Sequence, residues 1–125
     1  MVKRVLVVDD SGTMRKIIVN SLRPFGIPSA MEAADGDEAV RVFQQSNCDL
    51  VLLDWHMPQM NGAETVRQLR KIDADVPLMI ISSESDERCI VEAIEAGVND
   101  YLVKPFAYEL FQEKVAKLLG VPCPD

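Results

Sequence analysis

Short aliphatic runs alternate with longer amphipathic stretches from one end of the chain to the other. RVLVVD (4–9) predicts a strand, and Met14, Ile17, Ile18, Leu22 and Phe25 then recur at helical spacing. Pro24 falls in the last turn of that helix, with Gly26 as its C-terminal cap. PSAMEA (28–33) is a weaker strand candidate, and GDEAVRVFQQ (36–45) a helix. DLVLLD (49–54) predicts a buried strand, followed by the helix GAETVRQLRKI (62–72), which Asn61-Gly62 opens. VPLMIIS (76–82) predicts another buried strand, and ESDERCIVEAIEAG (84–97) a helix closed by Gly97. DYLVK (100–104) is a short strand, and FAYELFQEKVAKLL (106–119) a final helix after Pro105.

Five β-α units with strands apolar on both faces predict a parallel sheet covered by helices on both sides. Right-handed crossovers leave few topologies. One is a five-stranded doubly wound sheet of order 2-1-3-4-5, and the other is a Rossmann half-unit. No GxGxxG follows the first strand, so the dinucleotide-binding alternative lacks its fingerprint. The expected fold class is α/β. Residues 1–125 are expected to form one domain, with VPCPD as a short tail and nothing after it.

Composition changes this picture little. The chain is 48% hydrophobic and 26% charged, as globular domains are. Its net charge of −7 argues against general binding to nucleic acid, which wants a basic face. The aliphatic runs fall far below the ~20 residues of a membrane span, and no signal peptide precedes the first strand. Cys48, Cys89 and Cys123 lack metal-ligand or CxxC spacing and read as incidental thiols of a reducing, cytoplasmic protein.

The chemistry lies at strand ends. In open parallel sheets ligands bind beyond the carboxyl ends of the strands, at the switch point between neighbours whose connections run opposite ways. In the 2-1-3-4-5 order that point falls between the first and third strands. Asp9 and Asp10 end the first, and Asp54 ends the third. Three carboxylates at one mouth repel one another unless something positive sits among them. A hard divalent cation does this with oxygen ligands, and Mg²⁺ takes one or two carboxylates plus water and phosphate. The competing explanation makes Asp9 and Asp10 caps of the following helix, since Asp is a favoured N-cap. Ser82 closes the fourth strand and Lys104 the fifth, adding a hydroxyl and an ammonium to the same edge. That set suits a phosphoryl group.

With these residues in hand, the chain resembles the response-regulator receiver family, and within it the single-domain, chemotaxis CheY-like branch. The resemblance rests on VVDDS (7–11), LLDWHMPQMNG (52–62), MIISSES (79–85) and AGVNDYLVKPF (96–106), and it covers essentially the whole chain. Trp55, Met14-Arg15 and Tyr101 look especially like the chemotaxis type. The family is itself a type example of the 2-1-3-4-5 order, so its flavodoxin-like (βα)5 fold is not an independent confirmation of the topology.

The resemblance implies that Asp54 takes a phosphoryl group from a histidine kinase. Asp10 and Asp54 would ligate Mg²⁺ directly, Asp9 through water, and the backbone carbonyl of His56 would be a further ligand. Lys104 would bind a phosphoryl oxygen beside a cis Lys104–Pro105 bond, an isomer found in only ~5–6% of X–Pro bonds. Ser82 would move toward the phosphoryl group and Tyr101 would change rotamer in response. The chain would thus turn over its own phosphorylation and slow hydrolysis without being an enzyme on an external substrate. With no output domain it would signal as a monomer by binding a protein such as the flagellar motor switch, with a phosphatase as a further partner.

Some residues carry two readings. His56, two after the acceptor, stands where chemotaxis-type relatives often have Asn, which bears on phosphoryl lifetime; Glu84, two beyond Ser82, faces the same region. A phosphorelay or metal-ligand role for His56 lacks any partner at ligand spacing. In the last helix Ala107, Phe111, Val115 and Leu118 form the expected core stripe, with Phe106 and Leu110 to one side, next to Lys114 and Lys117. On the preceding helix Ala93, Ile90, Ile94 and Val91 span a broad apolar arc. Either the core is thick, with lysine stems covering it, or Ile90, Ile94, Tyr101, Val103, Phe106, Leu110, Lys114 and Lys117 form a docking face, which the resemblance favours. Trp55 is expected beside the acidic site. Three alternatives keep part of the chemistry: a phosphorelay shuttle, a scaffold that has lost it, and a phosphoaspartate hydrolase of the haloacid-dehalogenase type. The last would need an acid where His56 stands.

Overall fold

Each aliphatic run becomes a strand of one sheet, and each amphipathic stretch a helix against it. A computed structural model describes residues 3–57 and 60–124. Residues 58–59 of the 52–62 motif, and the ends of the expected 1–125 domain, lie outside the described residues. The elements are β1 (Val5–Val8), α1 (Gly12–Ser21), β2 (Met31–Ala33), α2 (Gly36–Gln45), β3 (Leu50–Leu53), α3 (Gly62–Ile72), β4 (Leu78–Ser82), α4 (Glu87–Ala96), β5 (Asp100–Val103) and α5 (Tyr108–Leu119). All neighbouring strands pair parallel, in the order β2-β1-β3-β4-β5. The doubly wound α/β fold expected from the pattern is the fold that forms.

The sheet divides the apolar residues in two, because alternate side chains of a strand point to opposite faces. Leu6, Val8, Val51, Leu53, Leu78 and Ile80 meet Ala39 and Phe43 of α2, Val66 and Leu69 of α3, and Ala93 of α4. Val5, Val7, Leu50, Leu52, Met79, Ile81 and Leu102 meet Ile18 of α1 and Phe111, Val115 and Leu119 of α5. Strands buried on both faces have no solvent side, which is why their sequences show no polar alternation. Polar residues are displaced to the strand ends. Ser11, Asp35, Asn61 and Asp86 then open α1, α2, α3 and α4 with side-chain caps to first-turn amides.

Three expectations shift. Pro24 does not sit in the last turn of α1, which stops at Ser21; Arg23–Phe25 forms a separate 3-10 turn, and Gly26 caps that turn at φ 78. Proline has no N–H to donate and its ring clashes with the preceding turn. β2 begins at Met31, beyond Pro28, for the same lack of a donor. In α5 the buried stripe is Phe111, Val115 and Leu119 with Ala116 and Gln112, whereas Ala107 is an exposed N-cap and Leu118 is half-buried. The expected stripe started from a residue that precedes the helix.

Candidate functional site

The registers of β1 and β3 bring the acids together. Val8 pairs with Leu53, and the Asp54 amide donates to the Val8 carbonyl at 2.9 Å, so Asp9, Asp10 and Asp54 leave adjacent strands at the same level. One carboxylate oxygen from each lies within 4.8 Å of the others. Lys104 arrives from β5, its amide donating to the Ser82 carbonyl at 2.8 Å. Its Nζ stands 2.9 Å from Asp9 Oδ2 and 3.5 Å from Asp54 Oδ2. The Lys104–Pro105 peptide is cis, as the resemblance implies.

The two adjacent aspartates are not equivalent. Asp9 is 2% exposed and engaged at every polar atom. Its amide donates to Ala33, its carbonyl accepts from Arg15, Oδ1 accepts from the Ser11 amide, and Oδ2 meets Lys104. Asp10 is exposed, and its carboxylate has no hydrogen bond or ion pair among the described residues. Neither caps α1. Ser11 does, accepting from the Met14 amide at 3.1 Å. Three carboxylates against the one ammonium of Lys104 leave two negative charges, and the donors are hard oxygens, so charge and chemistry both fit one divalent cation.

A second group of residues meets at Glu84. Its amide donates to the Ser82 hydroxyl at 3.1 Å, and its carbonyl accepts from the Tyr101 hydroxyl at 2.7 Å. Its carboxylate lies 3.3 Å from His56 Nε2 and accepts from the Asp86 amide at 3.1 Å. The His56 amide in turn reaches Asp54 Oδ1 at 3.4 Å. Burial pushes the Tyr101 phenol above its usual range; the Ser82 hydroxyl works the other way, and Cys89, Glu84 and Asp54 add to the rise. Trp55 is 5% exposed and belongs to the core under α2 and α3. Gly62 packs so closely on it that a Cβ there would come within 2.7 Å of the Trp55 ring and 2.8 Å of its backbone.

The expected docking residues are only partly free. Ile94, Leu110 and Lys117 are exposed, while Ile90, Tyr101, Val103, Phe106 and Lys114 are half-buried. Phe106 stacks on Phe111 at 5.6 Å, packing partly buried against the core beneath α1 and α5. Lys114 is not a free cation, since Asp100 holds it at 2.7 Å. The three cysteines are free thiols, and burial pushes Cys48 up to about 11. No helix of the described residues is long and apolar enough to cross a membrane.

Sequence reasoning missed two contributors. Arg15, 6 residues from Asp9, donates to the Asp9 carbonyl, and no periodicity marks that contact. Glu84 was expected only to face the region, whereas it ties His56, Ser82 and Tyr101 together. Its place two residues beyond a strand end was the available signal.

Comparison with known proteins agrees with this fold. The response regulator receiver domain family matches residues 5–116. Chemotaxis protein CheY of Pseudomonas aeruginosa is 38% identical over 117 residues, 92% of this chain and 94% of that protein. A chemotaxis protein CheY homolog of Campylobacter jejuni is 41% identical over 120 residues, 94% of this chain and 92% of its own length. The structure of Vibrio cholerae chemotaxis protein CheY4 superposes with a TM-score of 0.88 at 30% identity, covering 95% of this chain and 100% of that one.

Proposed function

This chain belongs to the response regulator receiver domain family, and from that premise we propose that it is a phospho-receiver that takes a phosphoryl group from a histidine kinase onto Asp54. The observation that carries the reading is the trio Asp9, Asp10 and Asp54, with Lys104 bridging two of its members. In the transfer the donor N–P bond breaks, its electron pair stays on the imidazole, and a bond forms from Asp54 Oδ to phosphorus. A carboxylate is a weak nucleophile, so positioning and charge neutralisation supply most of the rate.

Asp10 and Asp54 would hold magnesium directly, with Asp9 through water and the His56 carbonyl as a further ligand. When bound, the ion supplies neutralisation of the charge on the transferring oxygens. Lys104, already 3.5 Å from Asp54, would shift its ammonium to a phosphoryl oxygen. Ser82 would leave the Glu84 amide and donate to another, and Tyr101, hydrogen-bonded to Glu84 next door, would respond.

Proteins of this kind are signalling proteins rather than enzymes on external substrates. We read the chain as a single receiver unit whose output is protein binding across α4, β5 and α5. Its similarity to chemotaxis proteins supports a place in that behaviour, with a kinase upstream, a target such as the flagellar switch downstream, and a phosphatase to reset it. The test is incubation with magnesium and acetyl phosphate, followed by intact-mass measurement. The parent chain should gain one phosphoryl group and Asp54→Asn none. No gain in the parent, or equal gain in both, overturns the reading.

A further inference from the structure

Arg15 stands in the first turn of α1, and its side chain turns back to the end of β1. Nη1 donates to the Asp9 main-chain carbonyl at 2.6 Å, and Nε donates to Glu32 Oε1 at 2.9 Å. Glu32 lies on β2, in register with Val7. The Arg15 side chain is 21% exposed, against 42% for Glu32. One guanidinium thus joins a helix, an edge strand and the peptide at the mouth of the acidic cluster.

The carbonyl it holds belongs to the Asp9–Asp10 peptide. A peptide unit is planar, so fixing its oxygen fixes the plane from which the Asp10 Cα projects. Asp9 needs no such help, because its amide and both carboxylate oxygens are engaged independently. Asp10 has no side-chain partner among the described residues. Its direction depends on the backbone that carries it.

We propose that Arg15, braced by Glu32, is a positioning residue that aims the Asp10 carboxylate into the cation site by locking the Asp9–Asp10 peptide. The inference rests on the reading of the acidic mouth as a magnesium site. Its sign separates it from simpler roles. A guanidinium acting only through its charge repels a cation, so removing it tightens magnesium binding. A guanidinium that only ties α1 to β2 changes stability and leaves affinity alone. One that positions a ligand raises affinity, and supporting residues of this kind typically contribute about 10–100-fold.

The experiment is titration of the full chain with magnesium chloride, reading Trp55 emission and the Asp10 amide shift by NMR, for the parent, Arg15→Met, Arg15→Lys and Glu32→Gln. Arg15→Met should weaken magnesium binding about tenfold or more. Arg15→Lys keeps the charge without the fork, and should also weaken it. Glu32→Gln leaves an oxygen that can accept from Arg15 Nε but removes the charge that strengthens the brace, and should weaken magnesium binding by a smaller factor. Unchanged or tighter binding by Arg15→Met overturns the proposal, including when its metal-free melting point has fallen. If that variant fails to fold, parent-like affinity in both Arg15→Lys and Glu32→Gln overturns it instead. A parent chain that binds no magnesium defeats the underlying reading and this one with it.

Discussion

Replacing Asp10 with Asn removes one negative charge from a mouth that holds three carboxylates and one ammonium, and keeps the side chain's size and polarity. The carboxylate oxygens lie within 4.8 Å of one another. At that distance two unit charges repel by about 0.9 kcal/mol at the dielectric constant of water, and about 3.5 kcal/mol at an effective value of 20. Asp10 is exposed, so the lower part of that range applies. Two acids repel it, and Lys104, beyond ion-pair distance from it, attracts it. The net is close to one pair, about 1–2 kcal/mol. Asp10→Asn should therefore stabilise the chain by that amount in chelator at low ionic strength, although polar surface changes are usually close to neutral.

Urea unfolding followed by circular dichroism measures the difference directly. Magnesium at ten times its dissociation constant should stabilise the parent by about 1.4 kcal/mol and the variant by much less, narrowing the gap. Salt at about 1 M, where the screening length is roughly 3 Å, should shrink it too. A variant less stable than the parent in chelator, or a gap that neither salt nor magnesium changes, would refute the charge reasoning.

Other outcomes follow from single contacts. His56→Asn should change the half-life of phosphorylated Asp54 more than the phosphorylation yield, because His56 stands two residues from the acceptor with its amide 3.4 Å from Asp54 Oδ1 and its ring beside Glu84; equal half-lives would remove the idea. Gly62→Ala should cost about 1–3 kcal/mol in urea unfolding, since its methyl would press on Trp55 ring and backbone alike; an unchanged midpoint would contradict the packing. With an aromatic disulfide reagent at about pH 8, exposed Cys123 should react first and Cys48 slowly. Burial holds the Cys48 thiol near 11, so its thiolate, and its labelling, should rise only as pH climbs toward that value. Fast Cys48 labelling at the lower pH would be the contrary result.

The order of elements was legible because strands such as Leu50–Leu53 are apolar without interruption, which only a doubly covered sheet accommodates. The acids were legible because strand ends are where a parallel sheet places polar groups. The edges of elements were less so. Pro24 lies three residues past the end of α1 and Ala107 one before the start of α5, where helical periodicity no longer marks the boundary. Arg15 on α1 to Glu32 on β2, across 17 residues, and His56 to Glu84 between loops, across 28, depend on how distant segments are brought together. The helical wheel sets Lys114 beside the expected docking face but cannot show its ion pair with Asp100, 14 residues away.

Lys104 and Asp9 stand 95 residues apart in the chain and 2.9 Å apart in space. A nascent polypeptide emerging from the ribosome has its acidic residues long before it has the base that faces them. The pairing can therefore form only once translation has passed the fifth strand and that strand has closed against the fourth. A chain halted before Lys104 leaves Asp9 and Asp54 without the ammonium that faces them.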